Sequence, residues 1–146
     1  KPMKLTSAID ISDSIMENLS YFMAESKAIG DMIEDDEEKI ILLDEIFRGT
    51  NTIDRIASAT ATLKYLARNN HVVAATHDIE LTILLKDLYK NMHFEEKIED
   101  GDIKFDYLLK EGPATSRNAI AILDNLNYPR EIISEARALS KELEER

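Results

Sequence analysis

The chain has 146 residues, 44% of them apolar and 32% charged, no cysteine and a formal net charge of −11. That is enough for one cored domain or a large part of one, and it excludes a disulfide framework and thiolate chemistry. No apolar stretch approaches the roughly 18 residues of a membrane span, no apolar leader with a small-residue cleavage site is present, and so acidic a surface matches nucleic-acid phosphates poorly; the cytoplasm is expected, with no membrane contact.

The first stretch, "KLTSAIDIS" (4–12), alternates loosely and reads as a short strand or extended lead-in. From Asp13 the pattern changes. Ile15, Leu19, Phe22, Ile29 and Ile33 recur at helical spacings, and Ser12 is positioned to cap that helix. "EDDEEK" (34–39) reads as a solvated turn. "IILL" (40–43), bounded by charge on both sides, reads as a strand buried on both faces, as in a parallel sheet. Asn51 then caps a helix with Asp54 three residues on. Its inner face is Ile56, Ala59, Leu63 and Leu66, and Asn69-Asn70 ends it.

"HVVAAT" (71–76) reads as the next strand, and Asp78 as the cap of a helix over "IELTILLKDL". Strand and helix alternate with short links, which is the pattern of a parallel sheet with helical cover. "NMHFEEKIEDGDIKFDYLLKEG" (91–112) differs. Two alternating runs flank Asp100-Gly101, a hairpin turn signal. "TSRNAIAILDNL" (115–126) reads as a helix capped by Thr115 or Ser116. Residues 129–146 read as a last helix, with Pro129 in its first turn and a stripe of Ile132, Ala136, Leu139 and Leu143 at near-heptad spacing. No internal repeat or low-complexity linker is present.

Asp44 and Glu45 stand where a parallel strand ends, the place where ligands bind in open α/β sheets. An Asp there can hold Mg²⁺, usually through water. A neighbouring Glu can orient or deprotonate a water attacking a γ-phosphate. This is the logic of a Walker B element. The same six residues also describe a plain strand end with two solvated acids. His77 ends the next strand; if the strands are neighbours, its imidazole lies beside the acids and could contact a γ-phosphate. A histidine satisfied by backbone at a strand-to-helix turn is the alternative. His71 and His93 have no comparable setting. "RGTN" (48–51) supplies a glycine hinge and polar residues leading into a helix N-terminus, which favours anions.

Together these segments resemble a family. "LLDEIFRGTNT" followed by "THDIEL" is similar to the ATPase domain of the MutS family, the DNA mismatch-repair ATPases and their relatives within the ABC-type ATPases. "DSIMENLSYFMAES" (13–26) resembles that family's signature segment, with Ser20, Phe22 and Glu25 in matching places. "LLKEGPATSRNAIAIL" resembles the segment after the hairpin, and the last helix resembles the start of a dimerising C-terminal region. The resemblance implies a partial P-loop NTPase fold: a mainly parallel sheet with helices on both faces, an antiparallel hairpin and C-terminal helices. Residues 1–128 would be the C-terminal part of the ATPase domain and 129–146 a dimerisation helix. ATP and Mg²⁺ are the implied cofactors, with Asp44 as the Mg²⁺ acid through water, and Glu45 and His77 catalytic. Asn18, Ser20, Arg48, Thr50 and Asn51 would contact ATP, Ser20 across an interface between two copies. DNA would be engaged by other domains, not by this acidic segment.

The chain departs from the family's pattern at three places. The glycines are Gly30, Gly49, Gly101 and Gly112, and none fits a G-x-x-x-x-G-K-[ST] P-loop. In the family that loop precedes the signature segment. The chain opens at Lys1 rather than Met, and the natural protein is expected to be processed or longer, with the isolated chain inactive. Asn18 replaces a glycine of the signature, and Phe47 replaces a small residue before "RGT". Two other readings fit parts of the chain. One is a non-catalytic interaction module working through the stripe on the last helix. The other is a metal-dependent phosphohydrolase using Asp44, Glu45, His77 and Asp78, which leaves the segment around Ser20 without a role.

Overall fold

A computed structural model describes residues 2–9, 18–115 and 118–146. The expected cap Ser12, the first turn from Asp13 to Ile15, and Ser116 lie outside them. The chain divides into two compact units, residues 1–90 and 91–146.

The first unit is α/β. Its strands are β1 (Lys4–Ala8), β2 (Lys39–Asp44) and β3 (His71–Ala75), in spatial order β1-β2-β3 and all parallel. The register pairs Leu5 with Ile40 and Ile40 with His71, and ends with Asp44 opposite Ala75. Helix α1 (Asn18–Glu34) lies between the first two strands in sequence, α2 (Thr52–Leu66) between the second and third, and α3 (Ile79–Leu84) after them.

This strand order explains where the core lies. Both crossovers step the same way across the sheet, and right-handed crossovers then put both helices on one face. Ile41 and Leu43 of β2 are buried there with Ala8, Ile29 and Met32, Ala59, Leu63 and Leu66, and Leu81 and Leu85. Each leucine, isoleucine or methionine buried there contributes on the order of 1.5–3 kcal/mol. The opposite face, with Leu5 and Val73 each 62% exposed, stays open, and Ile40 and Leu42 are half-buried. The expectations that "IILL" is buried on both faces, and that helices cover both faces of the sheet, are therefore corrected for the described residues.

Three local expectations also change. In α1 the inward residues are Phe22, Glu25, Ile29 and Met32, whereas Ile33 is 37% exposed. Steps of three, four and three hold one face, and Ile33 stands one residue further round. The stretch 34–39 is not wholly solvated. Lys39 is 1% exposed, and its amine donates to the carbonyls of Met32 and Asp35 while pairing with the Asp35 carboxylate at 3.0 Å. Lys4 pairs with the same carboxylate, so hydrogen bonds from Lys4 and then Lys39 hold Asp35 far below the usual carboxylate range. Helix α3 is shorter than expected, and the Asp78 side chain makes no cap hydrogen bond to it.

In the second unit, β4 (Met92–His93) pairs antiparallel with β7 (Lys110–Glu111), and β5 (Glu96–Glu99) with β6 (Asp102–Phe105). The β5–β6 turn is Asp100-Gly101, with φ of 52° and 80°. Positive φ at both central residues is what a two-residue hairpin of this twist needs. Helix α4 (Ala119–Asn125) begins after Asn118, so Thr115 does not cap it. Helix α5 (Arg130–Glu144) has Pro129 just before its first residue. Its buried residue is Ile133, at 1% exposure, while Ile132, Leu139 and Leu143 are 47%, 50% and 70% exposed.

Candidate functional site

The site forms where β2 and β3 end side by side. Because Asp44 sits opposite Ala75, the two chains leave the sheet at the same level. The ladder runs one step further: the Glu45 N–H donates to the Ala75 carbonyl at 2.9 Å. Glu45 has φ 49° and Phe47 φ 62°. Left-handed backbone costs a non-glycine residue about 1–2 kcal/mol, so this turn needs outside support.

That turn brings Glu45 to His77. Their carboxylate Oε1 and imidazole Nε2 are 3.3 Å apart. The Glu45 side chain is 17% exposed and that of His77 is 93% exposed. The acid is thus mostly buried and the imidazole almost wholly open to solvent. Asp44 is exposed at the strand end, and no hydrogen bond or ion pair among the described residues engages its carboxylate. The adjacency of His77 to the acid pair, conditional in the sequence, is met by the β2–β3 pairing.

Asn51 caps α2. Its side-chain oxygen accepts from the Asp54 N–H at 2.9 Å, and its amide donates to the Asp54 carboxylate at 2.6 Å. Arg48 and Gly49 are exposed and Thr50 is half-buried in the loop before it. Asn18 and Ser20 lie in the first turn of α1, and their side chains are outside the described residues. His71 meets Glu38 at 3.2 Å on the surface. His93, in the second unit, contacts the Gly112 carbonyl at 2.9 Å and Glu95 at 3.1 Å, as a satisfied histidine does.

Three further residues shape the site: Glu25, which the sequence offers only as a match to the signature segment, Asp78, which it offers as a helix cap or a metal acid, and Arg55, which it does not single out. Glu25 is 2% exposed, and its Oε1 accepts the Phe47 N–H at 2.9 Å. Burial pushes its carboxyl up, against the Phe47 hydrogen bond and the Arg48 charge. Its sequence signal was an acid on the inner face of an amphipathic helix. Arg55 and Asp78 form a forked pair, Nε to Oδ2 and Nη2 to Oδ1, each at 2.8 Å. Arg55, already a strong base, is held higher by that hydrogen bond. The pair ties α2 to the loop after His77. It also explains why Asp78 caps nothing with its side chain, and it commits Asp78 away from a metal. Among the described residues no three His, Asp or Glu side chains cluster as a ready metal site.

The donor set fits Mg²⁺ bound together with phosphates. Such an ion takes one or two protein carboxylates and keeps water and phosphate oxygens for the rest. The exposed, unengaged Asp44 offers one such ligand.

Comparison with known proteins identifies the family. The model of MutS domain V matches residues 3–144. Over 133 residues the chain is 34% identical to the DNA mismatch repair protein MutS of Thermus thermophilus, covering 90% of this chain and 16% of that protein. It is 35% identical over 141 residues to MutS of Aquifex pyrophilus, covering 93% and 16%. It is 33% identical over 141 residues to the DNA mismatch repair protein MutS 2 of Haloarcula marismortui, covering 93% and 15%. The chain thus spans about a sixth of the length of these curated relatives. It belongs to the MutS family, as domain V.

Proposed function

We propose that this MutS-family chain is the part of an ATP-hydrolysing domain that carries its Mg²⁺ acid, its general base and its phosphate-facing histidine. The observation that carries this reading is the 3.3 Å contact of Glu45 with His77, beside Asp44, at the carboxyl ends of neighbouring parallel strands. Strand ends of this kind are where α/β sheets bind ligands, and phosphoryl transfer asks the protein mainly for placement and charge.

In this reading Asp44 holds Mg²⁺ through water. The bound ion would supply charge neutralisation on the phosphate oxygens. A Glu45 carboxylate oxygen takes the proton of the attacking water, as a general base. His77 exchanges Glu45 for a γ-phosphate oxygen at Nε2, which its exposure allows. Arg48, Thr50 and Asn51 line the approach, with Asn18 from α1. Ser20 of a second copy closes the site by electrostatic stabilisation. The phosphate cradle comes from a part of the longer polypeptide outside these residues, so the isolated chain does not turn over ATP.

Relatives named as DNA mismatch repair proteins support a role on DNA for the intact molecule. With a net charge of −11 on this segment, DNA is engaged by other domains. Among the described residues no helix is long and apolar enough to cross a membrane. The exposed apolar residues of α5 support a second, compatible role as a pairing surface between copies.

The direct test is Asp44→Asn in the longer polypeptide, with ATP affinity measured with and without Mg²⁺. The Mg²⁺-dependent gain in affinity should vanish. A gain equal to that of the unmodified protein removes Asp44 from the role.

A further inference from the structure

Glu25 is the least expected side chain of the first unit. It is an acid at 2% exposure in the apolar cluster, and its second oxygen, Oε2, is buried with no hydrogen-bond partner among the described residues. A buried carboxylate with an orphaned oxygen is costly. A hydrophobic residue there would pack without that cost. Something must offset it, and the hydrogen bond that Glu25 makes among the described residues shows what. Its Oε1 accepts the N–H of Phe47, the left-handed residue of the turn that follows Glu45.

That hydrogen bond spans 22 positions of sequence and joins two elements with separate parts in the proposed site. At one end is α1, whose first turn carries Asn18 and Ser20. At the other is the turn from Glu45 to Gly49, which leads to Arg48, Thr50 and Asn51. The Phe47 ring packs on Phe22, one helical turn before Glu25, with centroids 6.0 Å apart. The charge of Arg48 also bears on the Glu25 carboxylate. Backbone, ring and charge of the turn are thus all referred to one stretch of α1.

We propose that Glu25 is a positioning residue: its carboxylate ties helix α1 to the left-handed turn after β2, so that Glu45 and the loop 48–51 move with α1 as one body. The functional weight of that tie rests on the reading of Glu45 given above; the tie itself does not. In an ATPase completed across two copies, a rigid link between the segment that reaches the other copy and the general base lets closure of one set the other. Glu25 touches no reacting atom in this arrangement. It acts through the turn.

The test uses the 146-residue chain and needs no ATP, so it can fail without the ATPase reading failing. Residue-resolved amide exchange is compared for the unmodified chain, Glu25→Gln, which keeps an acceptor oxygen, and Glu25→Met, which keeps the volume and loses the acceptor. In the unmodified chain the Phe47 amide should be as protected as the β2 amides. Glu25→Met should raise exchange at Phe47 and Glu45 by about tenfold or more, leaving Ile41 and Leu43 far less affected, and Glu25→Gln should restore protection. Three results would overturn the proposal: a fast Phe47 amide in the folded unmodified chain, equal protection with Glu25→Met, or Glu25→Gln exchanging as fast as Glu25→Met. If Glu25→Met does not fold, the Phe47 rate in the other two chains decides on the same terms.

Discussion

The guanidinium of Arg55 and the carboxylate of Asp78 meet through two parallel hydrogen bonds of 2.8 Å, with side chains 24% and 16% exposed. The pair closes the gap between α2 and the loop that carries His77. Forked, charge-assisted bonds at this degree of burial are stronger than surface ion pairs.

A double-mutant cycle on Arg55→Ala and Asp78→Ala should therefore give a coupling of about 1–3 kcal/mol by urea denaturation. Arg55→Lys should recover only part of it, because an ammonium lacks the planar fork. Additive single losses would show that the pair contributes nothing of its own.

Phe47 sets two effects against each other. Its φ of 62° suits glycine, yet its ring is 7% exposed and packs on Phe22. Relief of the left-handed backbone is worth about 1–2 kcal/mol, while truncating a buried phenylalanine costs about 3–5 kcal/mol. Phe47→Gly should thus destabilise the chain by about 1–4 kcal/mol net, read from denaturant midpoints. A neutral or stabilised variant would show that the ring is not part of the core.

The second unit carries a pH dependence through His93. The hydrogen bond to Glu95, and then the contact with the Gly112 carbonyl, raise the imidazole above its ordinary value of 6.5. A raised histidine contributes stability that is fully present below the unfolded value and lost as pH rises through the folded one. Glu95 is lowered, first by Lys110 and then by His93, so its contribution is present above 4.5 and lost as pH falls through its depressed value. Thermal midpoints should therefore decline from about pH 6.5 upward, and His93→Gln should flatten that decline. An unchanged slope in the variant would assign the decline to another group.

Helix α5 leaves Leu139 and Leu143 half or more exposed. If the stripe pairs two copies, sedimentation of the chain should show a concentration-dependent mass that Leu139→Glu with Leu143→Glu abolishes while the chain stays folded, and the thermal midpoint should lose its dependence on concentration. A single-chain mass at all concentrations would exclude pairing through this helix.

Much of this arrangement is legible in the sequence, for physical reasons. The short runs at 40–43 and 71–76, bounded by charge and turn residues, read as strands, and Asn51 with Asp54 three residues on reads as a cap. Asp100-Gly101, between two alternating runs, marked its hairpin. The contact of Glu45 with His77 was legible only conditionally, because strand adjacency is a long-range fact. The open sheet face was not legible. It follows from the order β1-β2-β3, which puts both crossovers on one side, and alternation within one strand does not encode its neighbours. Glu25 and the Arg55–Asp78 pair were hidden for a related reason. Each is engaged by a group more than 20 positions away, so local pattern shows an acid or a base without the partner that gives it its role. Asp78 in particular looked like a helix cap, and a distant guanidinium claims it.

The proposed role of Glu45 as general base of an ATP site is checked by Glu45→Gln in the longer polypeptide, with ATP binding and turnover measured side by side. ATP binding should persist while turnover falls by roughly 10²–10⁴-fold. Turnover at the rate of the unmodified protein would contradict that role and leave Asp44 and Glu45 as two acids at the end of a strand.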